Sequence, residues 1–160
     1  MKLSAEEVLT MAQRAEENAA TMYRKIAEKF SNESDIFKDL ASMEDNHKNT
    51  FMKMQVELDQ KDRSKKSPDP FSELQEYLNA LADIHGGEGR PTEIDSIKGN
   101  EEISTIISRA VELEKNSILF YEEIKQFISE LSGKEKVDEI IIEEKKHVVK
   151  LSELSDKYDN

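Results

Sequence analysis

Four stretches of this chain repeat inward-facing residues at alternating steps of three and four, and no other feature of the sequence restricts the fold so strongly. The first stripe reads Leu9, Ala12, Glu16, Ala19, Tyr23, Ile26 and Phe30, and the second reads Phe37, Leu40, Glu44, His47, Phe51, Met54 and Leu58. The third reads Ile103, Ile107, Ala110, Glu114, Ser117, Tyr121, Ile124, Ile128 and Leu131, and the fourth reads Val137, Ile140, Glu144, His147, Leu151, Leu154 and Tyr158. Such spacing puts each set on one face of a helix and forms the seam of a left-handed bundle. With only 5 Gly and 3 Pro in 160 residues, long unbroken helices are permitted.

The punctuation between the stripes gives the order of elements. Ser4 and Glu7 have capping-box spacing, which starts the first helix. The second starts near Ser34, after a short link at 31–32. The run Lys65-Lys66-Ser67-Pro68-Asp69-Pro70 cannot continue a helix, and Asp69 followed by Pro70 is spaced as a cap and first helical residue. A shorter helix is expected over 71–84, ending at Gly86-Gly87, with a loop over 86–99. Asn100 is a good cap for the third long helix, and Gly133 is a natural stop between the third and the fourth. Short links within each pair and a long crossover, 63–99, between the pairs predict two antiparallel hairpins. The fold expected is all-α: one domain over 1–160, a four-helix bundle with a single long crossover, the ferritin-like arrangement.

Six residues interrupt these apolar seams with an acid or a histidine: Glu16, Glu44, His47, Glu114, Glu144 and His147. A bare carboxylate in an apolar core costs several kcal/mol unless neutralised or paired. Four of them would be hard to tolerate in a domain whose net stability is about 5–15 kcal/mol. No Lys or Arg lies on any stripe to offset them. Two divalent cations would, because four carboxylates and two neutral imidazoles carry four negative charges. Glu-x-x-His at Glu44–His47, and again at Glu144–His147, puts both side chains on one face one turn apart. Glu16 and Glu114, one from each remaining helix, can bridge or complete the site. A hydrogen-bonded polar layer without metal is the competing reading.

The neighbours of these residues act as a control. Glu17 is in register with Gln13 and Arg24, so it reads as solvated. Glu143 aligns with Lys136 and Lys150, whereas Glu144 continues the apolar seam. His85 stands beside two glycines in the crossover and is expected at the surface. An internal repeat supports the pattern: Glu16-Glu17-Asn18-Ala19-Ala20-Thr21-Met22-Tyr23 parallels Glu114-Lys115-Asn116-Ser117-Ile118-Leu119-Phe120-Tyr121. Tyr23 and Tyr121 lie two turns along from the two glutamates on the same faces. They can fill the core, or each can donate its hydroxyl to a ligand carboxylate.

Composition bounds the partners. Hydrophobic and charged residues each make up 36%, and the net charge is −12. An acidic surface repels nucleic acid and anionic lipid, so neither is an expected partner, while cations are attracted. Cysteine is absent, which excludes disulfides, thiolate catalysis and cysteine metal sites and leaves oxygen and nitrogen ligands. Met1–Leu9 has no apolar run of signal-peptide length, and no stretch approaches the roughly 18–20 apolar residues of a membrane span. The cytoplasm is the expected location.

The chain resembles the rubrerythrin-like branch of the ferritin-like superfamily through Glu16 with Tyr23, Glu44-Asp45-Asn46-His47, Glu114 with Phe120-Tyr121, and Glu144-Lys145-Lys146-His147. The resemblance runs from about Ala5 to Leu154. It implies a non-haem di-iron centre that reduces hydrogen peroxide or dioxygen, or oxidises ferrous iron, in oxidative-stress defence. Glu16 and Glu114 would be the flexible bridging ligands, with Glu44, His47, Glu144 and His147 anchoring the ions. Tyr23 and Tyr121 could supply an electron during oxidation. Two departures stand out. Rubrerythrins usually carry a four-cysteine rubredoxin module, so electrons here would come from a separate rubredoxin-like donor. Rubrerythrins proper also carry an extra carboxylate ligand one turn after the third-helix Glu, where this chain has Ser117, with Ala19 at the matching point of the first helix. Ferrous-iron handling and a non-enzymatic bundle holding zinc or manganese therefore stay open, as does a homodimer with swapped hairpins.

Overall fold

The computed structural model describes residues 3–58, 60, 63, 76–78, 80 and 96–159. Four long helices dominate: α1 (Ala5–Lys29), α2 (Ser34–Glu57), α3 (Ile103–Ile124) and α4 (Leu131–Asp156). The start of α1 follows from its capping box. Glu7 N donates to Ser4 Oγ at 3.2 Å, and Ser4 N donates to the Glu7 carboxylate at 3.0 Å. These bonds satisfy two backbone donors that the first turn leaves unpaired. A single 3₁₀ turn, Ser31–Glu33, reverses the chain into α2. At the far end of α2 the Arg63 guanidinium donates to the carbonyls of Leu58 and Gln55, each at 3.2 Å, and to Glu6 at 3.0 Å. It thereby fastens the frayed end of α2 to the start of α1.

The second hairpin departs from the sequence expectation at two places. Asn100 does not cap α3. Instead the Glu101 carboxylate accepts from Lys98 N at 2.6 Å and Gly99 N at 3.0 Å, closing a turn in which Gly99 has φ 98°, and α3 starts at Ile103. Gly133 does not stop a helix either. The reversal comes earlier, through a 3₁₀ turn at Lys125–Phe127, and Gly133 lies in the first turn of α4. An alanine Cβ at that position would come within 2.7 Å of Ile128 Cγ2, so glycine is there to let the turn and α4 touch. The third stripe accordingly ends at Ile128, and Leu131 is 72% exposed. Tyr158 lies just beyond α4, where its hydroxyl donates to buried Glu33. The helix expected over 71–84 lies mostly outside the described residues, which show helix at 76–78 and 80. The loop over 86–95 and His85 lie wholly outside them.

Two apolar clusters fill the bundle. One joins the start of α1 to the end of α2, the end of α3 and the start of α4, with Leu9, Phe51, Phe120 and Val137 at its centre. The other takes the opposite end of each helix, around Ile26, Phe37, Ile107 and Leu151. Leu78 from the crossover is fully buried in the first. The polar interruptions of the seams fall between the two.

Candidate metal centre

Helical phase alone brings the six residues together. Glu16, Glu44, His47, Glu114, Glu144 and His147 are each at most 2% exposed. They form two overlapping groups: Glu16, Glu44, His47 and Glu144 in one, and Glu44, Glu114, Glu144 and His147 in the other. Each group offers four donor atoms that lie within 4.8 Å of one another. The imidazole rings stack across the layer with centroids 5.9 Å apart.

The distances distinguish the carboxylates. Glu44 sends Oε2 to within 3.6 Å of His47 Nδ1 and Oε1 to within 3.0 Å of His147 Nδ1. Glu144 mirrors it, with Oε1 at 2.9 Å from His47 Nδ1 and Oε2 at 3.6 Å from His147 Nδ1. Each of these two carboxylates therefore faces both histidines. Glu16 approaches His47 alone, at 3.6 Å, and Glu114 approaches His147 alone, at 3.3 Å. Glu44 and Glu144 are thus the carboxylates that face both histidines, whereas the resemblance implies the bridging role for Glu16 and Glu114. The cause is geometric. The Glu of each Glu-x-x-His sits one turn from its own histidine and points at the histidine of the other hairpin.

Glu16 and Glu114 are held from the opposite side by tyrosines. Tyr23 on α1 donates to Glu114 Oε1 at 2.5 Å, and Tyr121 on α3 donates to Glu16 Oε1. Each hydroxyl bonds the carboxylate of the other hairpin, so the two bonds cross the bundle and fix the glutamates relative to each other. Ser117 donates to the Leu113 carbonyl at 3.1 Å, and Ala19 is buried without a polar group, so neither adds a ligand.

Electrostatics shows what the site lacks. One buried oxygen on each of Glu16, Glu44, Glu114 and Glu144 accepts no hydrogen bond. Glu44 Oε1 is among them although it lies 3.0 Å from His147 Nδ1. Buried acceptors are rarely left this way, and four in one layer form a cradle that fits cations. Without an ion, protons take over. Desolvation pushes the Glu16 carboxyl well above its ordinary value, and the Glu44 charge pushes it further. Desolvation works against a charged His147, yet the Glu144 and Glu44 carboxylates beside it prevail and lift it to about 9. His47 moves further upward by the same balance, with Glu144, Glu16 and Glu44 as partners. Burial also raises both tyrosine hydroxyls well above their usual range, with the nearby carboxylates adding to the effect. Both therefore stay protonated donors.

Two residues outside the seams reach the histidines from behind. Glu143 Oε2 lies 2.5 Å from His47 Nε2, and Met43 Sδ lies 3.3 Å from His147 Nε2. The sequence reading had set Glu143 aside. The available signal was its place directly before Glu144, which matches Met43 before Glu44. Glu17 behaves as expected: its side chain is 62% exposed and pairs with Lys48. A cleft of about 220 Å³ between α2 and α4, lined by Met43, His47, Thr50, Lys136, Glu139 and Glu143 among others, opens onto the outer edge of His47.

Comparison with known proteins gives the family and the fold. The family model described as Rubrerythrin matches residues 7–155. Among solved structures, a protein from Thermotoga maritima described as a ferritin-like diiron-carboxylate protein superposes with a TM-score of 0.75 at 22% identity. The match covers 99% of this chain and 98% of that one, so the fold is ferritin-like. No curated protein matches. No helix among the described residues is long and apolar enough to cross a membrane.

Proposed function

The chain belongs to the rubrerythrin family, and from that premise we propose that its Glu/His layer holds two iron ions and that the protein is a cytoplasmic di-iron oxidoreductase, reducing hydrogen peroxide or dioxygen with electrons from a separate, rubredoxin-like donor. The observation that carries the reading is the pair of carboxylates, Glu44 and Glu144, each facing both histidines, amid four buried oxygens with no hydrogen bond. Glu16 and His47 would complete one position, and Glu114 and His147 the other. When bound, the iron pair would supply two electrons, so that one peroxide and two protons become two waters.

The chain's own residues do the rest. Tyr23 and Tyr121 hold the proton on their hydroxyls and keep Glu114 and Glu16 oriented toward the histidines. The Phe51 ring packs on Tyr121 at 5.0 Å and Phe37 on Tyr23 at 5.8 Å, which limits water at those hydroxyls. A small oxidant could reach the layer by the α2–α4 cleft. Ferrous-iron oxidation without reductive turnover is the second reading. The specific observation favouring it is Ser117, where rubrerythrins proper carry an extra carboxylate.

The test is anaerobic ferrous loading followed by oxidant. We expect about two irons per chain, and a near-ultraviolet charge-transfer band that grows faster with peroxide than with air. Faster growth with air would select the second reading. Failure to bind stoichiometric iron would leave a zinc or manganese module. His47→Ala and Glu144→Ala should each lower the metal content while keeping the helical circular dichroism. Two ions per chain in both variants would overturn the ligand assignment.

A further inference from the structure

The site is nearly twofold symmetric, and behind the two histidines that symmetry fails. Glu16 corresponds to Glu114, Tyr23 to Tyr121, Glu44 to Glu144 and His47 to His147, and the distances within the layer repeat accordingly. The residue preceding each Glu-x-x-His is Met43 on α2 but Glu143 on α4. Both reach across to the outer nitrogen of the histidine on the opposite hairpin, so the difference between them falls on the imidazoles. His47 Nε2 donates to a carboxylate at 2.5 Å, whereas the partner of His147 Nε2 is a thioether at 3.3 Å, a weak acceptor.

We propose that Glu143 makes the two ion positions unequal, so that the Glu16–Glu44–His47–Glu144 position takes the first divalent cation and holds it more tightly than the Glu44–Glu114–Glu144–His147 position. This rests on reading the layer as a two-ion site. A carboxylate behind an imidazole fixes the proton on the outer nitrogen, leaves the inner lone pair free for a cation and stops the ring from turning. Loss of such a partner typically costs 10–100-fold in metal affinity. Among the described residues, the outer nitrogen of His147 meets only the weaker Met43 thioether. The α2–α4 cleft, lined by both His47 and Glu143, gives a cation a route to that position. The one lysine lining that cleft, Lys136, lies 3.5 Å from Glu57 on the far helix.

Cobalt(II) titration of the metal-free full-length protein by calorimetry, with chelator competition, tests this. Because Glu44 and Glu144 are shared, the first ion alters the second, so the comparison among variants carries the weight. The wild type should show two steps about tenfold or more apart. Glu143→Ala should weaken the tighter step by roughly 10–100-fold and largely spare the weaker one. Glu143→Gln, which keeps an acceptor, should recover part of the loss, and Met43→Glu should tighten the weaker step. In the proton spectrum of the cobalt-loaded wild type, one hyperfine-shifted ring N–H should exchange slowly with deuterium, and in Glu143→Ala it should exchange fast. Two indistinguishable steps in the wild type, or steps unmoved by Glu143→Ala, would overturn the inequality while two-ion binding stood. Binding of fewer than two cobalt ions would sink the two-ion reading itself, and the inequality with it.

Discussion

At the scale of single residues, the metal-free site keeps its charges balanced with protons. His147 holds its proton up to about pH 9, whereas an unfolded imidazole releases it near 6.5. His47 and Glu16 are displaced upward as well, so the folded chain binds more protons than the unfolded one. The stability His147 contributes this way is fully present below about pH 6.5 and is lost as pH rises toward 9, while that of Glu16 already begins to fall above the ordinary carboxyl value of 4.5. The melting temperature of chelator-treated protein should therefore fall by several degrees between pH 6.5 and 9, while metal-loaded protein, its Nδ1 protons already displaced, should change much less. A flat or rising profile without metal would contradict the protonated histidines. The six residues of the layer were legible because each replaces an apolar residue in phase with its own helix. Glu143 was not, since helical phase reports which face a residue occupies and not what the neighbouring helix brings to it. Which carboxylates face both histidines is hidden for the same reason, because it depends on distances between hairpins.

At the scale of elements, the first hairpin was readable to within a residue or two. Its caps are local chemistry: Ser4 with Glu7 at one end, and the 3₁₀ turn of Ser31–Glu33 before α2. The second hairpin misleads because Phe127 and Ile128 are buried in the turn itself, so the apolar period runs past the end of α3. Gly133, which suggested a stop, serves close packing instead. Replacing it brings two effects into competition. Alanine gains up to about 1 kcal/mol in helix propensity. Against this, Ile128 Cγ2 is a methyl on a β-branched side chain and cannot swing clear of the new Cβ, and overpacking of this kind costs about 1–3 kcal/mol. Gly133→Ala should thus destabilise the protein by about 1 kcal/mol in urea denaturation, with metal stoichiometry unchanged. A more stable variant would show that the turn relaxes freely.

At the scale of the molecule, two apolar clusters enclose one charged layer, and they divide the work. The clusters account for a chain that folds, while the layer depends on bound protons until cations replace them. Removal of metal should therefore leave the helical content intact but lower the melting temperature. An ion at about 1,000 times its dissociation constant adds about 4 kcal/mol, which is of the order of 10 °C for a chain of this size. A differential scan of loaded and chelated protein measures the gap, and coincident scans would mean that cations add nothing to what the bound protons supply. The fold class followed from the phase of four stripes. The crossover is less legible, since 64–75 and 81–95 offer turn signals in place of a seam, and Leu78 shows only afterwards that part of it completes the core.

The donors of each position are divided unequally between the hairpins. One group takes Glu16, Glu44 and His47 from the first hairpin and only Glu144 from the second; the other takes Glu114, Glu144 and His147 from the second and only Glu44 from the first. Each hairpin alone is thus a three-toothed jaw, and the fourth tooth arrives only when the jaws close. A cation in either position then acts as a shear pin across the joint between two halves that the chain connects by nothing shorter than its crossover. In the loaded molecule, any force that slides one hairpin along the other would first have to break a bond at Glu44 or Glu144.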